Sequence, residues 1–156
     1  MLKRALLIIL GTGLLLTGLA SLPGLGREYA RPQHAMASDK QEEIPVLKPA
    51  GKKNELPDGR YFTWEFAQAP KMGTVILRLE IFDRNGEKIT NLKVEGRSDM
   101  PSMRGHHDSG EVAFKLNNQG VYLLPVNIVM PGDWEVILTF REGDNLLYRG
   151  RILFKV

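Results

Sequence analysis

From Arg60 to Val156 the apolar residues fall in short runs with a spacing of two, and no helical period competes with that spacing. Successive side chains of a strand leave opposite faces, so the spacing describes strands with one apolar face. Phe62, Trp64 and Phe66 alternate with Tyr61, Thr63 and Glu65. Val75, Leu77, Leu79 and Ile81 form a second run. Asn85-Gly86 then separates it from Glu87–Val94, a hairpin signal. Val112, Phe114 and Leu116 make a fourth run. Tyr122, Leu124, Val126 and Ile128 make a fifth, and Trp134, Val136, Leu138 and Phe140 a sixth. After the turn Glu142-Gly143-Asp144-Asn145, a seventh places Leu146, Tyr148, Ile152, Phe154 and Val156 on one side.

A sheet with one apolar face must bury it, and two such sheets packed face to face do so. The expectation is an all-β sandwich of about seven strands over residues 60–156. An up-and-down barrel is the alternative. Pro125 has no N–H to give to a neighbour, so the fifth strand should be an edge or be bulged there. Trp64 and Trp134 are in phase with the apolar faces and should be core residues.

The chain begins differently. Lys3-Arg4 precedes an uncharged apolar stretch from Ala5 to Ala20. A positive end that stays cytoplasmic, followed by an apolar segment that partitions into the bilayer, is the anatomy of an export signal. Gly18-Leu19-Ala20 and Ala35-Met36-Ala37 both offer small-x-small cleavage sites. The stretch from Ala5 to Leu25 also approaches the roughly 20 residues of a spanning anchor. Residues 1–37 are therefore read as a signal peptide or an N-terminal apolar anchor helix. Either places the remainder outside the cytoplasm, periplasmic or extracytoplasmic, with membrane contact only through this segment. Residues 38–59, broken by Pro45, Pro49 and Pro57, read as a linker: a tether or an irregular first edge segment.

The formal charge of +3 belongs to that leader. Lys3, Arg4, Arg27 and Arg31 face only Glu28 in the first 37 residues, and basic and acidic side chains balance from Ser38 onward. No basic face for nucleic acid is implied. The chain has no Cys, which excludes a disulfide framework, a thiolate zinc site and a thiol nucleophile. Ser98, Ser102 and Ser109 lie near His106 and His107, but no nucleophile elbow frames them. No glycine loop for phosphate is present, and the acid pair Glu42-Glu43 falls in the linker. The residues do not describe an enzyme.

One segment carries other chemistry. The connection from Val94 to Glu111 holds Met100, Met103, His106 and His107, and Met130 closes the fifth run just before Pro131-Gly132. Thioether sulfur is soft and favours Cu(I), and imidazole adds a borderline donor. Thioethers also persist where thiols would be oxidised. The plain alternatives are packing and solvation. Met fills irregular gaps under loops, adjacent His are common in solvated loops, and Met130 could pack on Trp134.

The same residues resemble a known family. Met100-Pro101-Ser102-Met103 with the following His pair, Gly120-Val121-Tyr122, and Met130-Pro131-Gly132-Asp133-Trp134-Glu135-Val136 are similar to the pattern of the YtkA-like domain. That domain is related to the FixH family and similar in architecture to CopC-like proteins. The resemblance covers residues 60–156. It implies an immunoglobulin-like sandwich, exported or membrane-anchored, associated with copper handling. Carried over, the metal ligands are Met100, Met103, His106 and Met130, with His107 in addition. Arg104-Gly105 makes the interval from Met103 to His106 one residue longer than the family's M-P-x-M-x-H. The expected ligand is a copper ion, Cu(I) by the donor chemistry. A structural or interaction module of an envelope complex, binding no metal, is the rival reading. A third reading, behind the other two, is an assembly factor that touches metal only through its partner, a membrane transporter or an oxidase.

Overall fold

The computed structural model describes residues 43–156, so the leader 1–37 lies outside the described residues. Among the described residues ten strands form two antiparallel sheets. Sheet one holds β1 (Asn54–Glu55), β2 (Tyr61–Phe66), β3 (Gly73–Phe82), β8 (Tyr122–Ile128) and β7 (Lys115–Leu116) in that order, with β4 (Lys88–Ile89) also paired to β3. Sheet two runs β10 (Asn145–Lys155), β9 (Asp133–Glu142), β5 (Lys93–Asp99), β6 (Val112–Ala113). One short 3₁₀ turn, Pro101–Met103, follows β5. Two separate sheets make this a sandwich and not a closed barrel. Among the described residues no helix is long and apolar enough to cross a membrane.

The alternation sets the core. Val75, Leu77, Leu79 and Ile81 from β3 meet Trp134, Val136, Leu138 and Phe140 from β9, all buried. Phe62 of sheet one packs on Phe140 of sheet two with ring centroids 4.6 Å apart. Trp64 and Trp134 are both buried, and each indole N–H finds a carbonyl: Lys48 O at 2.9 Å and Met130 O at 3.0 Å. Pro125 sits in β8 opposite Ile76 of β3, while β7 covers only Tyr122 and Leu123 on the other side. The strand is thus an open edge at Pro125, as a residue without an N–H requires.

Three expectations are corrected. The hairpin after Asn85-Gly86 returns only through Lys88–Ile89, and the chain then leaves for sheet two as β5, which continues to Asp99. Lys93 and Val94 fall at the end of the expected run, but the continuation from Glu95 to Asp99 carries no apolar alternation, because its core-facing residues are Gly96 and Ser98. Gly96 is small for a reason: a Cβ there would lie 2.4 Å from Leu124 Cδ2 of the opposite sheet. Side chains from the other sheet fill the space that β5 leaves.

The fourth run is not one strand. Val112–Ala113 pairs with β5 and Lys115–Leu116 with β8, so the chain changes sheets at Phe114. Only Phe114 is buried, while Val112 and Leu116 are exposed. In the seventh run a bulge between Leu146 and Tyr148 shifts the register, leaving Leu146 on the surface. The strand count exceeds seven because β1, β4, β6 and β7 are two-residue pieces.

Residues 43–59 pack on the sandwich. Val46 makes a parallel bridge to Arg151, Leu47 N donates to Arg151 O at 2.8 Å, and Leu47 and Leu56 are buried.

Candidate metal centre

Two segments meet at one end of the sandwich. β5 ends at Asp99 and passes into Met100 and the 3₁₀ turn. β8 ends at Ile128, and Val129–Gly132 carries the chain into β9. The register Asp99↔Glu135 between β5 and β9 brings Met100 level with Trp134, at the start of β9. Met100 is 3% exposed and belongs to the core. Its methyl reaches the Met130–Gly132 turn, since a Cβ on Gly132 would lie 2.8 Å from Met100 Cε. That turn is held by Trp134 Nε1 on Met130 O, and by Gly132 and Val156 exchanging backbone hydrogen bonds of 2.8 and 3.0 Å. The Met130 side chain is partly buried against the core.

The other candidates lie on the loop above. Pro101 opens the 3₁₀ turn, where its fixed φ suits the first helical position. Met103 N donates to Met100 O at 2.9 Å and His106 N to Met103 O at 3.1 Å, so two successive turns fold the loop back. Met103 is 39% exposed and His106 is exposed. His107 is partly buried, its ring 6.2 Å from that of Trp134. The fold therefore brings Met100, the Met130 turn and, through Trp134, His107 to one end. Met103 and His106 stand on the exposed turn of the same loop.

Sequence reasoning passed over the side chains that hold this loop. Asp99 Oδ1 accepts Met100 N at 2.8 Å, and Oδ2 accepts Gly105 N at 2.9 Å. Arg97 grips Asp108 with both Nε, at 2.8 Å, and Nη2. That hydrogen bond from Arg97, with one from Gly110 N–H, holds the Asp108 carboxyl below its ordinary range. Ser98 and Ser109 exchange two hydrogen bonds of 2.9 Å. Arg104 Nη1 donates to Glu135 Oε1 at 2.9 Å. The available signal was the density of Asp, Arg and Ser flanking the Met–His segment.

The donors of this end are thioethers and imidazoles. Among the described residues no three His, Asp or Glu side chains gather to hold a metal. A thioether and imidazole set suits a soft cation.

The family model for YtkA-like proteins matches residues 61–139. This chain belongs to the YtkA-like family. The match runs from β2 into β9 and contains both the Met100–His107 loop and the Met130 turn. None of the curated proteins matches the chain. Among solved structures, FetP of uropathogenic E. coli strain F11 is similar over 70% of this chain and 95% of its own, at 15% identity and a TM-score of 0.48. A copper-bound variant of the same FetP is similar over 70% and 97%, at 16% identity and a TM-score of 0.47.

Proposed function

We propose that this YtkA-like chain is a non-enzymatic, extracytoplasmic copper-binding protein that delivers Cu(I). Met100, Met103 and Met130 supply thioethers, and His106 or His107 supplies an imidazole. The observation that carries the reading is the meeting of the Met100 side chain with the Met130–Gly132 turn, with His107 against the Trp134 that ties that turn down. Soft sulfur donors on two segments, closed by an imidazole, match the preference of Cu(I). The exposed Met103 gives the ion a donor that it meets first, and a partner can compete for that donor during transfer.

The proposed setting follows from the first 37 residues, which export the chain or anchor it. The proposed recipient is a membrane transporter or an oxidase under assembly. The scaffold is read as an immunoglobulin-like sandwich.

The rival reading, a metal-free interaction module, has its own observation. Met100 is buried in the core and Met130 packs against it, as gap-filling Met does. Competition with a chromophoric Cu(I) chelator separates the two. The parent chain should withdraw Cu(I) from the chelator, and a Met100/Met103/Met130→Leu triple variant should not. Equal affinity in the two chains would reject the thioether site. Protons compete for imidazole and not for thioether, so affinity should also fall on acidification.

A further inference from the structure

The loop that carries Met103 and His106 is fastened to two carboxylates on the sheet beneath it. Asp99 and Glu135 are directly opposed partners on β5 and β9. Opposed residues of an antiparallel pair leave the same face. Here it is the face away from the core, because the neighbouring Trp134 and Val136 point inward. Both acids are nevertheless buried, at 5% and 1% exposure. Like charges so placed oppose folding unless each is compensated.

The compensation comes from the loop. Asp99 takes the N–H groups of Met100 and Gly105. Glu135 takes the Arg104 guanidinium on Oε1, while its Oε2 has no hydrogen bond and faces Arg151 Nη1 at 3.9 Å. Arg104 and Gly105 are the two residues that separate Met103 from His106, where the family motif has one. The lengthened interval thus has a structural role: both of its residues are tied to the sheet, one to each carboxylate. The ion pair also sets the Arg104 charge against an opposite one, which lessens its repulsion of a bound cation.

We infer that Glu135 is a positioning residue for the metal loop: through Arg104 it holds the Met103–His106 turn in the conformation that receives the ion. The inference rests on the copper reading above. Glu135 suits the role because it lies on β9 between Trp134 and Val136, both fixed in the core. It does not touch the metal.

The test uses the full chain with Glu135→Gln, Arg104→Gln and the double variant. Arg104 is 52% exposed, so R104Q breaks the contact from the solvent side even if E135Q folds poorly. Two quantities are read: Cu(I) affinity by chelator competition, and hydrogen exchange of the Gly105 and His106 amides in metal-free protein. Each single variant should lower affinity about tenfold, as loss of a group that orients a ligand does. Each should speed exchange at both amides about tenfold as the loop opens locally. The double variant should be no worse than the worse single, because one contact is lost in all three. Unchanged exchange at Gly105 and His106, or affinity losses that add, would overturn the inference. Failure of the copper reading is separate. It appears in the parent, whose affinity the triple Leu variant would match, while exchange still judges the anchor.

Discussion

The Met100 methyl lies against the backbone of Gly132, so the two segments of the candidate centre touch where one of them has no side chain. Gly132 has φ +141°, outside the range that L side chains favour. Gly132→Ala should therefore cost about 1–3 kcal/mol through backbone strain, and should also push Met100 off the turn. Urea denaturation checks the first effect. A Met100 methyl resonance that stays in place would contradict the second.

Trp134 links the core to the centre: its ring is buried and its N–H holds Met130 O. Trp134→Ala should cost about 3–5 kcal/mol. Trp134→Phe keeps most of the volume and should lose the hydrogen bond, about 1 kcal/mol. Thermal unfolding distinguishes them, and a loss under about 1 kcal/mol for the Ala variant would refute the core role.

Stability and metal affinity should separate at the Met positions. Met103 is exposed, so Met103→Leu should change stability by less than about 0.5 kcal/mol. Met100→Leu is a near volume-conserving change in the core and should cost under about 1.5 kcal/mol. Both variants should nevertheless weaken Cu(I) binding in the chelator competition. Unchanged affinity in both would remove these two sulfurs from the site.

Acid sensitivity should reside partly at Asp58, away from the candidate centre. Arg60 Nε donates to Asp58 Oδ2 at 2.7 Å, and this hydrogen bond leads the causes that lower the Asp58 pKa, against burial. A carboxyl whose folded pKa lies below its unfolded value stabilises above the unfolded value, about 3.9. That contribution is lost as pH falls through the folded value. Asp58→Asn should thus be less stable than the parent at neutral pH, and the gap should narrow below about pH 4. Urea midpoints measured from pH 7 downward test this, and a gap independent of pH would refute it.

The Leu47 segment should count as part of the folded unit. Leu47 is buried over Gly150, where a Cβ would lie 2.4 Å from Leu47 Cδ2. Leu47→Ala should cost about 2–5 kcal/mol. A change of a few tenths would show that the segment merely rests on the sheet.

Most of the core was legible because alternation is local. Phe62, Trp64, Val75, Leu77, Val126 and Trp134 are in phase within their own runs, and each is buried. Beyond Val94 β5 was not legible, because Leu124 from the other sheet occupies the space over Gly96. The sheet change at Phe114 was hidden for a related reason. Val112, Phe114 and Leu116 keep a two-residue period across two different sheets. At the candidate centre, the Met and His residues were readable from side-chain chemistry. The residues that fasten their loop were not, because Asp99 and Glu135 look like ordinary surface acids in a strand.

The amino-acid sequence by itself determined which residues turn inward along each strand, since that depends on spacing between near neighbours. It also determined the soft-donor chemistry of the Met100–His107 loop and Met130, since that depends on residue type. Only the tertiary structure decided which strands share a sheet, that Met100 meets Gly132, and that Glu135 is buried beside Asp99 under Arg104. Those outcomes depend on the register between β5 and β9, whose paired residues Asp99 and Glu135 are far apart in the chain. Such a register is set by packing across the whole sandwich and not by the residues on either side of it.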